Sequence, residues 1–346
     1  MNTNEISGKR QLEFLADFDY IREAGTAGEE KAAERIQKTL DSFGVESHLE
    51  EFSFDTFQIK KAKLKVTEPY TKEYTVTGYG RCGNTAEDGL EAPFAYAENG
   101  DDISLAHASG KIVMVNDPVR KDMYRKLVKA GAVGFISIAG SPLDEGVDLV
   151  PCAYALPKNL PGEEKKEAGR EAVNYDNRIP GVSIHYKDAI ELVTKGASQV
   201  CLSVEQEIVT RTSRNIVARI EGTDKAEEIL TLTAHYDSVP EGPGAYDNMS
   251  GAAIIMELCR YFHAHRPRRT MEFIWFGAEE KGLLGSQNYI KIHENELSAH
   301  RFNMNVDLAG QLVGGTVAGV TGDASVCSIL TYICLLYTSD AADDKA

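Results

Sequence analysis

The sequence predicts an α/β fold in which a mostly parallel sheet is covered by helices, with a smaller β-rich domain inserted into it. Three observations support this prediction. Within residues 229–306, short apolar runs alternate with segments of helical periodicity, as in a parallel sheet with crossover helices. The first strongly helical segment, 26–43, has no strands of its own beside it. A β-rich region over 57–210 separates that segment from the rest of its domain.

Length and composition indicate a globular protein of two domains. The chain has 346 residues, more than one hydrophobic core usually serves, and 42% of them are hydrophobic, which allows cores of normal size. Its 37 basic and 53 acidic residues give a net charge of −16. Because an acidic surface repels phosphate groups, we expect no nucleic-acid partner.

Targeting features and cysteine usage favour a cytoplasmic protein. No apolar run approaches the roughly 20 residues that cross a bilayer, so we expect no membrane association. The first residues show no apolar signal region, although a true start further upstream would allow secretion. The six cysteines are scattered without a framework, which is typical of free thiols.

The N-terminal and inserted regions show clear elements but no cluster of chemically active residues. Thr26 and Glu29 form the pattern of a capping box, in which each side chain accepts a hydrogen bond from the other residue's backbone N–H, and Gly44 ends the predicted helix. In the inserted region the patterns predict strands over 62–67, 74–79, 112–115, 133–138 and 182–185, helices over 121–130 and 188–195, and a loop over 141–178.

Charged residues follow each of three predicted strands in the C-terminal region. These strands cover 229–234, 271–276 and 302–306, with helices predicted over 251–263 and 283–293. They lead into His235 and Asp237, into Glu279 and Glu280, and into Asp307. Because ligands bind beyond the carboxyl ends of parallel strands, we expect these side chains to converge on one edge, joined there by Asp247 from a loop.

Carboxylates that converge in this way require a compensating cation. Packed together they repel one another and resist ionisation, and imidazole and carboxylate ligands suit zinc. Two ions about 3.5–4 Å apart would allow one carboxylate to bridge them. Each residue also has a structural explanation when taken alone: a strand-end His, a surface pair of glutamates, a turn at Asp307, or a turn and helix cap at Asp247 and Asn248.

Residues 213–319 resemble the M28 family of zinc aminopeptidases. Four motifs carry the resemblance: His235-Tyr236-Asp237-Ser238, Gly244 to Gly251, Phe276 to Glu280, and Asn305-Val306-Asp307. Residues 25–44 resemble the first helix of that family. The inserted region resembles a protease-associated (PA) domain, notably at 110–113, 130–134 and 179–182.

The resemblance implies a domain layout and a function. It implies a discontinuous peptidase domain of the zinc-exopeptidase, phosphorylase/hydrolase-like fold over 1–56 and 211–346, with the PA domain over 57–210. It also implies a metallo-aminopeptidase that hydrolyses peptide substrates with two Zn²⁺ ions, and it assigns no oligomeric state.

The roles of the site residues follow from the resemblance. His235 and Asp307 would bind one zinc, Glu280 would bind the other, and Asp247 would bridge the two. Glu279 would be the general base, and Asp237 would hold the His235 ring through its second nitrogen.

The chain departs from the family after Asp307. Family members continue for several more elements and supply a final His ligand there, whereas no His follows Asp307 in this sequence. Residues 335–346 do not resemble the family, and we expect the natural reading frame to continue with family-like sequence. The resemblance therefore implies a C-terminally truncated catalytic domain, an incomplete site for the Glu280 metal and a poorly active chain.

Other functions remain open on the same residues. Carboxypeptidase and glutaminyl-cyclase relatives share the fold, and the inserted domain counts against the cyclase. A non-catalytic peptide-binding protein would tend to lose ligands or the base, whereas Glu279 and four ligand positions are present here. A purely structural α/β domain would leave the acidic cluster unexplained.

Overall fold

The structure is a computed structural model that describes residues 5–141, 154–157, 175, 177–310, 317, 319–321 and 325–329. Two units are distinguished, Met1–Leu308 and Ala309–Ala346, and every element below lies in the first. The helices are α1 Gly8–Ala16, α2 Ala27–Ser42, α3 Lys121–Lys129, α4 Tyr186–Thr194, α5 Ser250–Ala264 and α6 Leu284–Ile292. The strands are β1 Ser47–Glu68, β2 Lys72–Tyr74, β3 Val76–Gly78, β4 Leu90–Tyr96, β5 Ile112–Val115, β6 Gly134–Ala139, β7 Gly181–His185, β8 Gln199–Ile220, β9 Lys225–His235, β10 Arg269–Phe276 and β11 His300–Asn305.

These strands form one sheet in the order β11-β9-β10-β8-β4-β5-β6-β7-β3, with β1 paired to β8 and β2 paired to β1. The sheet is mixed. β9 pairs in parallel with β10 and β11, and β5 pairs in parallel with β4 and β6, whereas β8 runs antiparallel to β1, β4 and β10. The sheet thus contains two parallel regions, and β8 lies between them.

Helices cover both faces of the sheet around β8, β9 and β10. Alternate residues of a strand point to opposite faces, so Phe273 and Trp275 pack with Ile36 of α2 and Ile255 of α5 on one side. Ile274, between them, packs against Tyr289 of α6 on the other side. The predicted α/β architecture, a sheet flanked by helices, is confirmed.

β1 and β8 form a long antiparallel ribbon that joins two hydrophobic clusters. The pairing runs from Ser47 opposite Ala218 to Glu68 opposite Gln199. One cluster takes residues between 62 and 204, and the other takes residues before 46 and after 215. The predicted boundaries at 56/57 and 210/211 fall opposite each other within this ribbon. The division into a peptidase domain and an inserted PA domain stays a prediction.

Most predicted elements are confirmed to within a few residues. The exceptions include α1, β4 and β8, which were not predicted. β1 extends well beyond the predicted strand 62–67, and the predicted strand 74–79 is divided between β2 and β3. The predicted capping box is wrong. The Thr26 hydroxyl donates to Glu23 O instead of capping α2, and Glu29 accepts from Gly25 N and Ser213 Oγ. Glu29 turns away from the Thr26 backbone because Ser213 gives its carboxyl group a buried partner.

Three sequence expectations concern features that the structure describes only in part. The cysteines among the described residues, Cys82, Cys201, Cys259 and Cys327, are free thiols. Within the same residues, every helix is too short or too polar to cross a bilayer. The loop predicted over 141–178 and the tail over 335–346 lie largely or wholly outside the described residues.

Candidate metal centre

The register of three parallel strands brings the predicted site residues to one edge of the sheet. β9 lies between β10 and β11, and Phe276 at the end of β10 pairs with His235. On the other side Asn305 pairs with Thr233, so Asp307 follows β11 at the level where His235 ends β9. Side chains from separate segments therefore meet at one place.

Asp247 reaches the same edge from the loop before α5. The next residue, Asn248, is fully buried and fastens this loop. Its side-chain amide donates to Val306 O at 2.9 Å, and its Oδ1 accepts from Gly251 N at 3.1 Å. Asn248 therefore binds the first turn of α5, although the N-cap position itself is occupied by Met249, and it also ties the Asp247 loop to the residue before Asp307.

The Nε2 atom of His235 faces three carboxylates. It lies 3.0 Å from Asp247 Oδ1, 3.6 Å from Asp307 Oδ1 and 3.9 Å from Glu279 Oε2. His235, Asp247 and Glu280 also place one ligand atom each within 4.8 Å of one another. The His235 side chain is only 3% exposed, whereas those of Asp247 and Glu279 are 48% and 30% exposed. The site is thus anchored in the core and open to solvent on its carboxylate side.

Asp237 is fully buried and holds the two glutamates through their backbone. Its Oδ1 accepts from Glu279 N at 3.0 Å, and its Oδ2 accepts from Glu280 N at 3.2 Å. Ala278 precedes this pair with a φ of 52°, and this left-handed conformation turns the chain towards Asp237. His235 Nδ1 lies 3.4 Å from Asp237 Oδ1 but forms no hydrogen bond within the described residues. Asp237 thus positions Glu279 and Glu280 more directly than it positions the His235 ring.

Burial and crowding perturb the ionisation of these groups. Burial lowers the pKa of His235, but the neighbouring carboxylates, Asp237 foremost, outweigh it and raise that pKa to about 9. Burial and repulsion from Asp247 raise the pKa of Glu280 to about 7. Burial also raises the pKa of Glu279, with His235 opposing the shift. The protein therefore holds acidic groups together at a free-energy cost.

The residues present fit a metal ion. A divalent cation would relieve the repulsion between the carboxylates, and one imidazole nitrogen with carboxylate oxygens is a donor set that zinc takes. His235, Asp247 and Glu280 form the group that could hold an ion, and Asp307 lies beside His235. The assignment of these residues to two separate ions stays a prediction.

Sequence reasoning missed Arg22, which lies between α1 and α2. Its side chain is fully buried and donates to backbone carbonyls, among them those of Tyr236 and Gly244 in the loops of the site. No residue spacing marks a cation whose partners are backbone atoms far along the chain, so the sequence held no signal for this role.

Comparisons with known proteins identify relatives of this chain. Residues 215–337 match the family model described as Peptidase family M28. The chain is 30% identical over 329 residues to aminopeptidase YwaD of Bacillus subtilis (strain 168), which covers 88% of this chain and 64% of the relative. It is 26% identical over 308 residues to carboxypeptidase Q of Mus musculus, in an alignment that covers 86% of this chain and 64% of that relative.

A solved structure gives the same result for the fold. BSAP, a zinc aminopeptidase from Bacillus subtilis, superposes with a TM-score of 0.70 at 27% identity, over 88% of this chain and 70% of that chain. The chain spans 64% of the length of each of these two curated relatives, just under two thirds. Residues 215–337 thus match peptidase family M28, and most of the chain is similar to proteins named as aminopeptidases.

Proposed function

We propose that this chain is the catalytic part of a zinc-dependent exopeptidase that removes N-terminal residues from peptides. The observation that carries the proposal is the group His235, Asp247 and Glu280, with Glu279 positioned beside it by Asp237. The relatives named aminopeptidase and zinc aminopeptidase support the reaction and the metal. The two-ion arrangement and the cytoplasmic location belong to the proposal as well.

The proposed mechanism assigns the proton transfers to Glu279. Zinc held by His235, Asp247, Glu280 and Asp307 would supply Lewis-acid chemistry at the scissile carbonyl. Glu279 is half-buried and open on one side, so its carboxylate can accept a proton from the attacking water and pass it to the leaving amine. Burial raises the pKa of Glu279 above its ordinary value, which suits a group that must both accept and release a proton.

Carboxypeptidase activity is the second candidate, because the chain is 26% identical to carboxypeptidase Q. A carboxypeptidase requires a cation that binds the substrate's terminal carboxylate. Lys281 follows Glu280 directly, but its Nζ is 2.9 Å from Glu23 Oε1 in an ion pair. Arg211 also pairs with Glu23, at 3.4 Å. These cations have carboxylate partners already, which favours the aminopeptidase.

Two substrate panels test the proposal. One consists of aminoacyl 4-nitroanilides with a free amine, and the other of N-blocked dipeptides with a free carboxylate. We expect slow hydrolysis of the first panel only, because the sequence predicts an incomplete site for the Glu280 metal; a chelator should abolish this activity and zinc should restore it. Hydrolysis of the second panel alone would establish the carboxypeptidase instead, and failure on both with bound zinc would leave a binding protein.

Glu279→Gln is the matched variant for this assay. We expect kcat to fall by about 10²–10⁴-fold, because the amide cannot accept the proton. Zinc content should stay unchanged, since Glu279 is assigned to proton transfer and not to the metal. A variant that retains wild-type turnover would remove Glu279 from the mechanism.

A further inference from the structure

Arg22 is a buried cation whose side-chain partners are backbone carbonyl groups. The side chain is 0% exposed, although it lies in the connection between α1 and α2. Its partners, given in chain order, are the carbonyl oxygens of Phe18, Tyr20, Tyr236, Pro243 and Gly244. A buried cation is stable only when its donors are satisfied, and the guanidinium here meets that condition with carbonyl oxygens.

The bonds of Arg22 join the two ends of one loop of the metal centre. Nε donates at 2.8 Å to the carbonyl oxygen of Tyr236, the residue between His235 and Asp237. An η-nitrogen donates at 3.2 Å to the carbonyl of Gly244, three residues before Asp247. One rigid planar group therefore sets the distance between the end of β9 and the start of the Asp247 loop.

Backbone contacts fasten the same loop at a third point. Arg22 N donates to Ser238 Oγ at 2.9 Å, and Ser238 N donates to Arg22 O at 3.2 Å. Gly244 adopts a φ of 54°, and a Cβ there would lie 2.2 Å from Asp247 O and 3.3 Å from the Arg22 guanidinium. A side chain at Gly244 therefore has no room, chiefly because it would overlap Asp247 O, and the Arg22 guanidinium lies close to the same position.

We propose that Arg22 is a positioning residue that fixes the separation of His235 and Asp247, and with it the geometry in which the centre holds metal. This inference rests on the proposed function. Lysine could not replace Arg22, because its ammonium is a compact group with three donors on one atom and cannot reach carbonyls that surround the edge of the planar guanidinium. Burial lowers the pKa of Arg22 to about 10, so the guanidinium is still protonated at neutral pH.

The test compares Arg22→Lys with Arg10→Lys in the same chain. Arg10 is also an arginine of the α1 region, but it binds Glu257 of α5 and contacts nothing in residues 236–247 among its described bonds. Three quantities are measured on each protein: the zinc dissociation constant by competition with a chromophoric chelator, the visible absorption spectrum with Co²⁺ in place of zinc, and the melting temperature.

We expect Arg22→Lys to weaken zinc binding by about 10–100-fold, the range for residues that orient ligands, and to alter the Co²⁺ spectrum. Arg10→Lys should lower the melting temperature and leave both metal readouts at the wild-type values. If Arg22→Lys lowers only the melting temperature, its role is structural and the inference is overturned.

Ser238→Ala keeps the test decisive if Arg22→Lys does not fold. It removes the bond from Arg22 N to Ser238 Oγ while the guanidinium remains. We expect the Co²⁺ spectrum to change in the same way as in Arg22→Lys, but by a smaller amount. An unaltered spectrum would overturn the inference. Wild-type protein that binds neither zinc nor Co²⁺ would overturn the proposed function together with this inference. Wild-type binding with unaffected variants would overturn the inference alone.

Discussion

The sheet has two parallel regions, and only one of them ends in a crowded set of charges among the described residues. In the region of β5, β6 and β7, polar groups at the strand ends have local partners. Asn116 follows β5 and bonds the side chains of Tyr96 and Asn99. His185 ends β7 and accepts a hydrogen bond from Lys187 N as the N-cap of α4.

In the region of β9, β10 and β11, the same type of strand end gives a different result. His235 also ends a strand, but its Nε2 faces carboxylates from three other segments. Within the part of the chain that the structure describes, this is the one place where three potential metal ligands come together. The end of a parallel strand thus places side chains at the edge of the sheet. A candidate metal site forms where charged side chains from several segments meet there without local backbone partners.

The largest effect is expected from Asp247→Asn, which changes a charge without changing the shape. The binding free energy of zinc held by about four ligands is roughly 10–16 kcal/mol. Loss of one ligand should therefore reduce it by on the order of 3–4 kcal/mol, or lower the affinity a few hundredfold. Zinc content after dialysis and competition with a chelator measure this loss. Asp117→Asn, at a strand end of the other region, should bind zinc like the wild type; equal losses would erase the comparison.

Glu29→Gln should remove a pH dependence of stability. Burial raises the pKa of Glu29 from its ordinary 4.5 to about 7. At pH values between these two, the folded protein therefore keeps a proton on Glu29 that the unfolded chain has released. The free energy of unfolding therefore falls as pH rises from about 4.5 to 7, by about 3 kcal/mol. Glutamine resembles the protonated acid, donating to Ser213 Oγ while accepting from Gly25 N.

Urea unfolding of metal-free protein at pH 4.5 and pH 8 measures this difference. The wild type should lose more stability than Glu29→Gln over that interval. A wild type and a variant with parallel pH profiles would show that Glu29 is ionised in the fold. Arg35, whose partner Asp17 is exposed, offers a control, because Arg35→Gln should leave the pH profile in place.

Asp237→Asn should weaken zinc binding by about 10–100-fold, or about 1.4–2.7 kcal/mol. The substitution replaces one of the two accepting oxygens by an NH2 group, which cannot accept, so the bond from either Glu279 N or Glu280 N is lost. Zinc affinity and kcat should fall together, since both glutamates shift. Unchanged zinc affinity with reduced kcat would confine the role of Asp237 to Glu279.

The smallest effect is expected from His185→Ala in the other parallel region. Loss of the N-cap of α4 should cost about 1 kcal/mol of stability, measured by thermal or urea unfolding. Zinc affinity and turnover should stay at wild-type values. A change in either would mean that the two strand-end histidines are less different than their surroundings indicate.

Sequence patterns predicted that the candidate site residues lie together at one sheet edge, because the signals for strand ends are local. β9 and β10 are mostly apolar and buried towards their carboxyl ends, and the polar site residues follow them within a few positions, so the place of these residues could be predicted from short segments. The long pairing of β1 with β8 could not be predicted, because it joins residues about 150 positions apart in sequence. Arg22 escaped prediction for the same reason: its partners are distant backbone atoms.

The β1–β8 ribbon has a consequence for how the fold comes apart. β8 contributes to both hydrophobic clusters: Leu202 and Val204 pack in one, and Ile216 and Ala218 pack in the other. Each cluster therefore holds one end of the same hydrogen-bonded ladder. Loss of packing at either end would fray strands that the other end needs, so the two clusters should melt as one cooperative unit and not as independent modules.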